Sequence, residues 1–498
     1  MKDAEVLVIS PFRRPTFRHA ISASHPAQEP WDSPAFSIAA CVERAGVSVD
    51  VLMLQTIYPG YDEDSDADEL TGVLKEFEPR LVLFVSDQFI ASRSTATLYG
   101  MQIVTKILTG SGAVTPPVIG ICGRLPTVLP SEVFDVLPEL DFAVCGEAEA
   151  VVAEAVATLA RDWVVDRLGE HPSIALSPRR RSAGDRTSPE PAFVTDVATL
   201  PTPAFHLAGS SFELASRRTS TQLSVPFSIR TSYGCKFRCR FCAGVPHWRD
   251  YRMKSRSRIA AEVDHLYAST ASVGRLAFLE DEIATRDVEH TRDIADVLSA
   301  RHIVLDGLYT HSSMLSAEVA RMLAPIVDRV FLGMDNASDD LLRSMGKGQR
   351  LESVLRAVGI AREAGLATHL EWIIGSPEED VDSIITSMSS IFTLLATGVV
   401  ASINTYVYCP HPGTEYAVNA AHFGMDVLEP HAMSESGGYP AARTRYLTRN
   451  QIFAAYLMSQ LIIVEASQLQ ARALSAEEVR APGRSELRRL FEQIRGSR

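Results

Sequence analysis

Short apolar runs alternate with helical patterns through the first 160 residues, and this alternation constrains the fold more than any other feature of the sequence. The candidate strands are short runs at residues 5–10, 48–52, 81–85, 117–121 and 142–145. Helical patterns lie between them, for example at residues 36–45 and 95–108. Buried strands that alternate with helices form a parallel sheet covered on both faces. We therefore expect an α/β fold that begins with a doubly wound, Rossmann-like domain over residues 1–160.

A second series of strand–helix units follows between about residue 225 and residue 410. Its candidate strands lie at residues 227–231, 275–280, 303–309, 329–333, 368–374 and 402–408. Helical patterns follow the first five of them, as at residues 257–268 and 351–364. Six parallel units of this kind curl into a partial (β/α)6 barrel, whose functional residues lie at the carboxyl ends of the strands.

The remaining segments set the expected domain boundaries. Residues 161–196 include SPRRRSAGDRTSPEP, which has no apolar period and is typical of a linker. The barrel is expected over residues 197–425. A helical region is expected over residues 426–498, with candidate helices at 450–469 and 485–494.

Charge and cysteine content exclude several classes of protein. The chain has 48 basic and 61 acidic residues and a net charge of −13, which argues against nucleic acid as its main partner. We expect no membrane association, because we find no apolar run long enough to cross a bilayer. The start, MKDAEVLVIS, resembles a charged tip and a strand more than a signal peptide, so a cytoplasmic protein is expected. Seven unevenly spaced cysteines indicate thiols and metal ligands rather than a disulfide framework.

The most specific motif is SYGCKFRCRFC, directly after the first predicted barrel strand. It places Cys235, Cys239 and Cys242 in a three-then-two spacing. A loop with this spacing can supply three thiolates to one 4Fe-4S cluster and leave the fourth iron without a protein ligand. The alternative is a zinc site, but structural zinc usually takes four ligands in paired spacing, and the nearby sequence offers no fourth.

This motif, with Phe241 before the last cysteine, resembles the radical S-adenosylmethionine superfamily. Four later motifs resemble that superfamily in the same order: the acidic pair Glu280-Asp281, GMDN at 333–336, IIGSPEE at 373–379 and PHPGTE at 410–415. The resemblance implies that S-adenosylmethionine binds the open iron. It also implies contacts from Glu280 or Asp281 to the methionyl amino group, from Asp335 to the ribose or methionyl end, and from Phe241 and Ile374 to the adenine, with Gly375 in the turn.

Some of these residues also have a purely structural interpretation. Gly375 and Pro377 are common turn formers. Asp335 precedes Asn336-Ala337-Ser338-Asp339, which looks like a helix start, and could be a helix cap.

The N-terminal domain resembles the cobalamin-binding domain of one branch of this superfamily, whose members include natural-product tailoring enzymes. VLVISPF, CGRLPT, GEAE and VTDVATLPTPAF carry the resemblance. The branch usually has Gly where this chain has Phe36, Gly-Gly where it has Cys122-Gly123, and His where it has Leu125. A flat cofactor needs glycine where the backbone approaches it. From these departures we expect that cobalamin is not the favoured cofactor and that the domain is retained for structure.

The predicted barrel mouth is acidic, with Glu280, Asp281, Glu282 and Asp335 near strand ends and Glu371 within the fifth strand. In THLEWII, Glu371 should share a face with His369 and Ile373. A carboxylate inside a barrel needs a cation or donor. That cation is either a protein Lys or Arg, or a protonated amine on the substrate, as in an amino sugar.

Other candidate catalytic groups lie near the same strand ends. Tyr309, His311, Tyr406 and Tyr408 could bond hydroxyl groups or move protons. Cys409 follows the sixth strand and could return a hydrogen atom to a substrate radical, as in radical epimerases. The alternative is that Cys409 is a small apolar core residue.

These features together predict a radical S-adenosylmethionine enzyme that forms a 5′-deoxyadenosyl radical. Its expected substrate is a polar and cationic small molecule, such as an amino-sugar or antibiotic intermediate, and its expected reaction is dehydration or epimerisation without cobalamin. The alternatives are a cobalamin-dependent C-methyltransferase and a non-catalytic iron–sulfur binding protein. An electron donor such as flavodoxin or ferredoxin is the expected partner.

Overall fold

The computed structural model describes residues 4–13, 33–86, 97–110, 116–181, 189–219, 227–244, 250–270, 274–428 and 439–471. The chain divides into two compact units. One comprises Met1–Thr231 and Arg252–Glu280, and the other Ser232–Tyr251 and Asp281–Arg498. The three motif cysteines therefore belong to the second unit.

A six-stranded sheet forms the centre of the first unit. Its strands are β1 (Val6–Ser10), β2 (Val49–Met53), β3 (Leu81–Val85), β4 (Val118–Cys122), β5 (Phe142–Val144) and β6 (Ile174–Leu176), in the order β2-β1-β3-β4-β5-β6. All pairs are parallel except β5 with β6. Every residue of β1, β2 and β3 is buried, as expected for parallel strands covered on both faces. The predicted doubly wound sheet is confirmed, and its strand order reverses between β1 and β3, the position at which such sheets bind ligands.

Helices and caps complete the first unit. Asp62 caps the helix after it by accepting a hydrogen bond from Asp64 N–H, and Ser255 caps a later helix by accepting from Arg258 N–H. Strand β6 lies within the residues predicted as a linker. The α-helices of this unit are Ser33–Arg44, Leu54–Ile57, Glu63–Phe77, Leu98–Gly110, Arg124–Val128, Val133–Val136, Val152–Leu159, Gly209–Thr219 and Arg256–Ser269.

The first two predicted barrel strands belong to this unit. After the short strands β7 (Ser232–Tyr233) and β8 (Arg252–Met253), the chain forms β9 (Arg275–Phe278). Ala277 N–H donates to the Phe227 carbonyl at 2.9 Å, and Ile229 N–H donates to the Phe278 carbonyl at 3.2 Å. Residues 227–229 therefore run beside β9 as an irregular strand.

Four parallel strands form the sheet of the second unit. They are β10 (Val304–Thr310), β11 (Arg329–Asp335), β12 (Ala367–Ile374) and β13 (Ser402–Val407), paired in the order β13-β12-β11-β10. A small antiparallel pair, β14 (Met425–Val427) and β15 (Ala442–Thr444), follows. The α-helices are Val288–Ser299, Ala317–Leu323, Asp339–Ser344, Leu351–Glu363, Val381–Ala396, Glu415–Val418 and Arg449–Ala471. The half-barrel sheet expected from the strand–helix alternation is confirmed.

The two faces of this sheet differ in exposure. On β12, Leu370 and Trp372 are fully buried, whereas Glu371 and Ile373 between them are partly exposed. Because side chains alternate along a strand, the face of Glu371 also carries Tyr309, Phe331, Gly333 and Tyr406 on the neighbouring strands. We call the face that bears these five residues the inner face.

The last described helix, Arg449–Ala471, packs against the sheet and is more apolar than expected. Its Ser459 and Gln460 side chains bond the Thr405 hydroxyl at 2.7 and 2.6 Å. By length and hydropathy alone this helix could cross a membrane, so the expectation that no run is long enough was wrong. The second candidate helix, at 485–494, lies outside the described residues.

Candidate active site

The cysteine loop begins where β7 ends. Gly234 adopts φ +92°, and a β-carbon there would lie 2.3 Å from the Asp250 carbonyl oxygen, so only glycine fits this turn. Beyond it, Cys235, Cys239 and Cys242 line one cavity of about 500 Å³. The rest of the wall comes from the loop itself and from the turn and helix after the PHPGTE motif: Lys236, Phe237, Arg238, Gly413, Thr414, Glu415, Val418 and Asn419.

The thiols suit a bound metal group better than solvent. Burial raises the pKa of Cys235 to about 11 and that of Cys239 to about 12, so as free thiols both would stay protonated. Gly244 N–H donates to Cys242 Sγ at 3.4 Å. Thiols of this kind become thiolates when a metal binds them. In the described part of the chain, no group of three His, Cys, Asp or Glu side chains could hold a single metal ion. Cys235, Cys239 and Cys242 are grouped because they line the same cavity.

Arg240 fixes the loop from within. Its backbone N–H donates to the Met345 carbonyl at 2.9 Å, and its carbonyl accepts from Tyr416 N–H at 3.1 Å. Its guanidinium donates to the Ser344 carbonyl at 2.9 Å and pairs with Glu415 at 3.1 Å. The loop is thereby tied to two different strand-end segments, and nothing in the motif spacing indicated this role for Arg240.

His311, a predicted catalytic residue, braces the same loop. Its ring stacks on Phe237 with centroids 3.9 Å apart, and its Nε2 lies 3.2 Å from the Lys347 carbonyl. Burial, together with the charge of Lys347, lowers the His311 pKa to about 4. The imidazole is therefore neutral near pH 7.

Asp335 lies at a distortion of β11. The pairing with β12 shifts register between Gly333 and Asp335, and Asp335 has φ +60°, a conformation that costs a non-glycine residue about 1 kcal/mol or more. Its Oδ2 lies 2.5 Å from Lys347 Nζ. The helix that begins at Asp339 is capped by Ser338, which accepts from Leu341 N–H, so the interpretation of Asp335 as that cap was wrong.

Lys347 was not singled out from the sequence. Its ammonium occupies the space above Gly333, where a β-carbon would lie 2.6 Å from Nζ. It also lies 5.7 Å from the centroid of the Phe241 ring. Burial lowers the Lys347 pKa, but Asp335 and the thiols of Cys239 and Cys242 outweigh burial and leave the pKa raised. Lys347 is thus a permanent cation between the cysteine loop and the inner face.

The Gly375 turn is held by a residue that the sequence also did not reveal. Glu379 accepts from Gly375 N–H at 2.5 Å and from Asn336 Nδ2 at 2.9 Å. Burial raises its pKa to about 7. Gly375 has φ +89°, and a β-carbon there would lie 2.5 Å from Ile452, so glycine is required. Glu379 therefore couples the turn after β12 to the residue after Asp335.

The two isoleucines before Gly375 point in opposite directions. Ile374 is 1% exposed and lies on the face of Leu370 and Trp372. Ile373 is partly exposed and packs against the same apolar cluster as Phe241. The contact of Ile374 with the adenine stays a prediction, and Ile373 is the isoleucine that shares an apolar cluster with Phe241.

The acidic residues after β9 have separate environments. Glu280 is buried, and its two carboxylate oxygens accept from the backbone N–H of Ser33, at 2.6 Å, and from the Ser33 hydroxyl. Asp281 accepts from Ser232 N–H at 3.0 Å. Glu282 approaches the cysteine loop: a β-carbon at Gly244 would lie 3.4 Å from both Glu282 carboxylate oxygens and 3.5 Å from Cys242 Sγ.

Glu371 lies on the inner face between two tyrosines. The hydroxyl groups of Tyr309 and Tyr406 donate to the same carboxylate oxygen, Oε1, at 2.9 and 3.1 Å. Burial raises the Glu371 pKa, and the two tyrosine hydrogen bonds oppose that rise. The predicted sharing of a face with His369 and Ile373 is confirmed by the strand register.

Tyr408 and Cys409 follow β13 in a buried position. Tyr408 packs edge-on against Tyr416, with centroids 5.9 Å apart, and joins the apolar cluster that contacts Phe241. Cys409 is 9% exposed, and its carbonyl accepts from His411 N–H at 2.9 Å. The hydrogen-donor role of Cys409 stays a prediction.

The residues that argued against cobalamin are core residues of the first unit. Phe36 is 0% exposed, and its ring packs against Phe205 and Phe227 at centroid distances of 5.5 and 5.9 Å. The Cys122 thiol is also 0% exposed and donates to the Phe84 carbonyl at 3.4 Å. Leu125 is likewise fully buried. These three side chains are therefore part of the core of the first unit.

Comparisons with known proteins agree with this architecture. Residues 229–389 match the model of the Radical SAM superfamily. The chain is 25% identical over 371 residues to the uncharacterized methyltransferase PH0819 of Pyrococcus horikoshii, covering 73% of this chain and 74% of that protein. It is 23% identical to the anaerobic magnesium-protoporphyrin IX monomethyl ester cyclase of a Synechocystis strain, covering 50% of this chain and 48% of the cyclase.

Two solved structures have the same fold. The radical S-adenosylmethionine methyltransferase TsrM from Kitasatospora setae, with cobalamin and a [4Fe-4S] cluster bound, superposes with a TM-score of 0.59 at 17% identity, covering 85% of this chain and 77% of TsrM. The cobalamin-dependent S-adenosylmethionine radical enzyme OxsB, with aqua-cobalamin and S-adenosylmethionine bound, gives a TM-score of 0.59 at 14% identity. This match covers 85% of this chain and 56% of OxsB.

The family match over residues 229–389 and the cysteine cavity give this chain the domain and the cysteine site of a radical S-adenosylmethionine enzyme. Within that class it has the architecture of the branch with an N-terminal cobalamin-binding-like domain. The expected reaction, dehydration or epimerisation without cobalamin, was wrong, because the relatives just described include a methyltransferase and cobalamin-dependent enzymes. The judgement that cobalamin is not favoured is likewise unsupported. It took Phe36 and Cys122 as obstacles, although both lie in the core.

Proposed function

We propose that this chain is a cobalamin-dependent radical S-adenosylmethionine methyltransferase that acts on a small molecule. The observation that carries the proposal is the combination of three thiols on one cavity with a preceding sheet of cobalamin-binding-like architecture. Likeness to a named methyltransferase over 73% of the chain supports the reaction class.

Different residues of the second unit would bind the cluster and the separate parts of S-adenosylmethionine. Cys235, Cys239 and Cys242 would hold a 4Fe-4S cluster, which when bound supplies single electrons to S-adenosylmethionine. Phe241 and Ile373 offer an apolar surface for the adenine. Asp335, the Gly375 turn and other polar groups beside the thiols would orient the methionyl and ribose ends.

The residues of the first unit fit a corrinoid at the end of its sheet. Ligands of doubly wound sheets bind where the strand order reverses, here between β1 and β3. Among the described residues, Ser86 follows β3 and Gly123, which has φ +99°, follows the neighbouring strand β4. Because Phe36 and Cys122 are fully buried in the core, their side chains are no argument against a flat ligand at this edge. When bound, cobalamin supplies a methyl carrier.

Two measurements on anaerobically purified protein test the proposal. After incubation with hydroxocobalamin and desalting, we expect about one corrinoid per chain by visible absorption and cobalt analysis. With S-adenosylmethionine carrying a trideuterated methyl group, we expect a product 17 mass units heavier than its precursor. Protein that loads no corrinoid, or that changes substrates only by loss of water or with no mass change, would contradict the proposal.

A further inference from the structure

We infer that Glu371 binds a protonated amine of the methyl-accepting substrate. The inference rests on the proposed function, because it assigns the substrate of the same site. It arises from the way in which the second unit holds this carboxylate.

The two oxygens of Glu371 have different environments. Oε1 accepts from the hydroxyl groups of both Tyr309 and Tyr406, at 2.9 and 3.1 Å. Within the described residues, Oε2 has no hydrogen-bond partner, although Glu371 lies on a strand and is only partly exposed. The tyrosines therefore fix the direction of the carboxylate and leave one oxygen available to a ligand.

Lys347, which acts electrostatically on Glu371, is already engaged by another carboxylate. Lys347 occupies the space above Gly333, which pairs with Glu371 across the sheet, but its Nζ lies 2.5 Å from Asp335. Asp335 and Glu371 are two carboxylates, and Lys347 carries only one positive charge. In the described part of the chain, no ion pair joins Glu371 to a Lys or Arg.

An ammonium group matches what Glu371 lacks. A partly buried carboxylate with one unfilled oxygen is stabilised by a donor that also carries positive charge. A primary ammonium offers three N–H donors, of which one can reach Oε2 while the others remain for neighbouring groups such as Asn404, which pairs with Glu371 in the strand register. A neutral hydroxyl or amide would satisfy the geometry but would leave the charge uncompensated. The geometry therefore favours a cationic amine.

An amine-capping experiment with the holoenzyme tests this assignment before the substrate has been identified. An extract of the source organism is divided, and one half is treated with sulfosuccinimidyl acetate, which acetylates amines. Both halves receive holoenzyme, reductant and trideuteromethyl S-adenosylmethionine. We expect a product 17 mass units heavier in the untreated half and its loss in the capped half. Equal labelling in both halves would overturn the amine assignment and leave the methyltransferase intact, whereas no labelling in either half would contradict the proposed function itself.

Variants then connect the amine to Glu371. For the substrate identified by labelling, we expect Glu371→Gln to raise KM about 10- to 100-fold, because the variant loses one charge-assisted hydrogen bond. The affinity for S-adenosylmethionine should be unchanged. Tyr309→Phe and Tyr406→Phe should each raise KM by less, because one donor to Oε1 remains, and they serve if Glu371→Gln folds poorly. Glu352→Gln removes an exposed carboxylate on a helix and is the matched control. An unchanged KM in Glu371→Gln, or an equal loss of affinity for the N-acetylated substrate, would refute the role of Glu371.

Discussion

Lys347 Nζ lies 2.5 Å from Asp335 Oδ2, and Asp335 has a left-handed backbone conformation. The Lys347 and Asp335 side chains are only 14% and 6% exposed. Breaking a buried pair of this kind leaves one charge without a partner, which costs more than the pair itself contributes. The end of β11, beside the cysteine loop, should therefore be sensitive to the loss of either partner.

Replacing Lys347 by methionine should destabilise the protein by about 3 to 5 kcal/mol, because Asp335 would remain buried without its cation. Denaturant unfolding under anaerobic conditions measures the loss. Lys347→Arg is the matched control, since it keeps the charge. The double variant Lys347→Met, Asp335→Asn should recover part of the loss, and a double variant no more stable than Lys347→Met would show that the two side chains are not coupled.

Asp335→Ala should weaken S-adenosylmethionine binding by about 5- to 100-fold, the loss of one polar contact, while the cluster stays intact. Isothermal titration reports the affinity, and the visible spectrum reports the cluster. Asp335→Asn separates charge from backbone, because Asn tolerates the left-handed conformation at φ +60° and Ala does not. Unchanged affinity in both variants would reduce Asp335 to a structural partner of Lys347.

Alanine at Cys235, Cys239 or Cys242 should abolish stoichiometric binding of the 4Fe-4S cluster and the cleavage of S-adenosylmethionine. Three ligands already leave one iron open, so the loss of a further thiolate leaves too few. Iron and sulfide analysis with electron paramagnetic resonance of the reduced protein tests this. Cys409→Ala, in which a cysteine outside the loop is replaced, should keep its cluster. A triple-alanine protein that retains a full cluster would refute the assignment.

Glu379 should make stability fall as pH rises. Burial raises its pKa from 4.5 to about 7, so between these values the folded protein keeps a proton that the unfolded chain has lost. Stability from this group is therefore complete below about pH 4.5 and decreases until about pH 7. Glu379→Gln should flatten that slope while lowering stability overall, because a glutamine N–H group would face Gly375 N–H or Asn336 Nδ2. Equal slopes in the two proteins, by denaturant unfolding at several pH values, would contradict the shift.

Local pattern was sufficient for the fold and for the chemistry of the cysteine loop. The strand at Leu81–Val85 has the bounds that its apolar run predicted, because strands buried on both faces are near-continuous apolar runs. The spacing of Cys235, Cys239 and Cys242 indicated three ligands because a short loop limits how far apart its thiols can lie. Neither inference needed any contact between residues distant in sequence.

The prediction that cobalamin is not the favoured cofactor failed because it depended on contacts between residues distant in sequence. Phe36 and Cys122 were judged by comparison with glycines at equivalent positions, although a sequence does not show which way such side chains point. Only the packed structure shows that Phe36 meets Phe205 and Phe227, from segments about 170 and 190 residues further along the chain, inside the core.

What the sequence determined by itself was the α/β alternation, the three cysteines and the order of the later motifs, because each depends on residue type and spacing within a few positions. The tertiary structure decided which side chains meet. Lys347 reaches Asp335 across Gly333, Glu379 joins Gly375 to Asn336, and Tyr309 and Tyr406 converge on one oxygen of Glu371 from strands 97 positions apart. The direction in which a strand side chain points is also set by the tertiary structure, since a register shift of one residue would exchange the faces of Ile373 and Ile374. Such pairings depend on strand register and loop path, which residues distant along the chain fix jointly when the sheet packs.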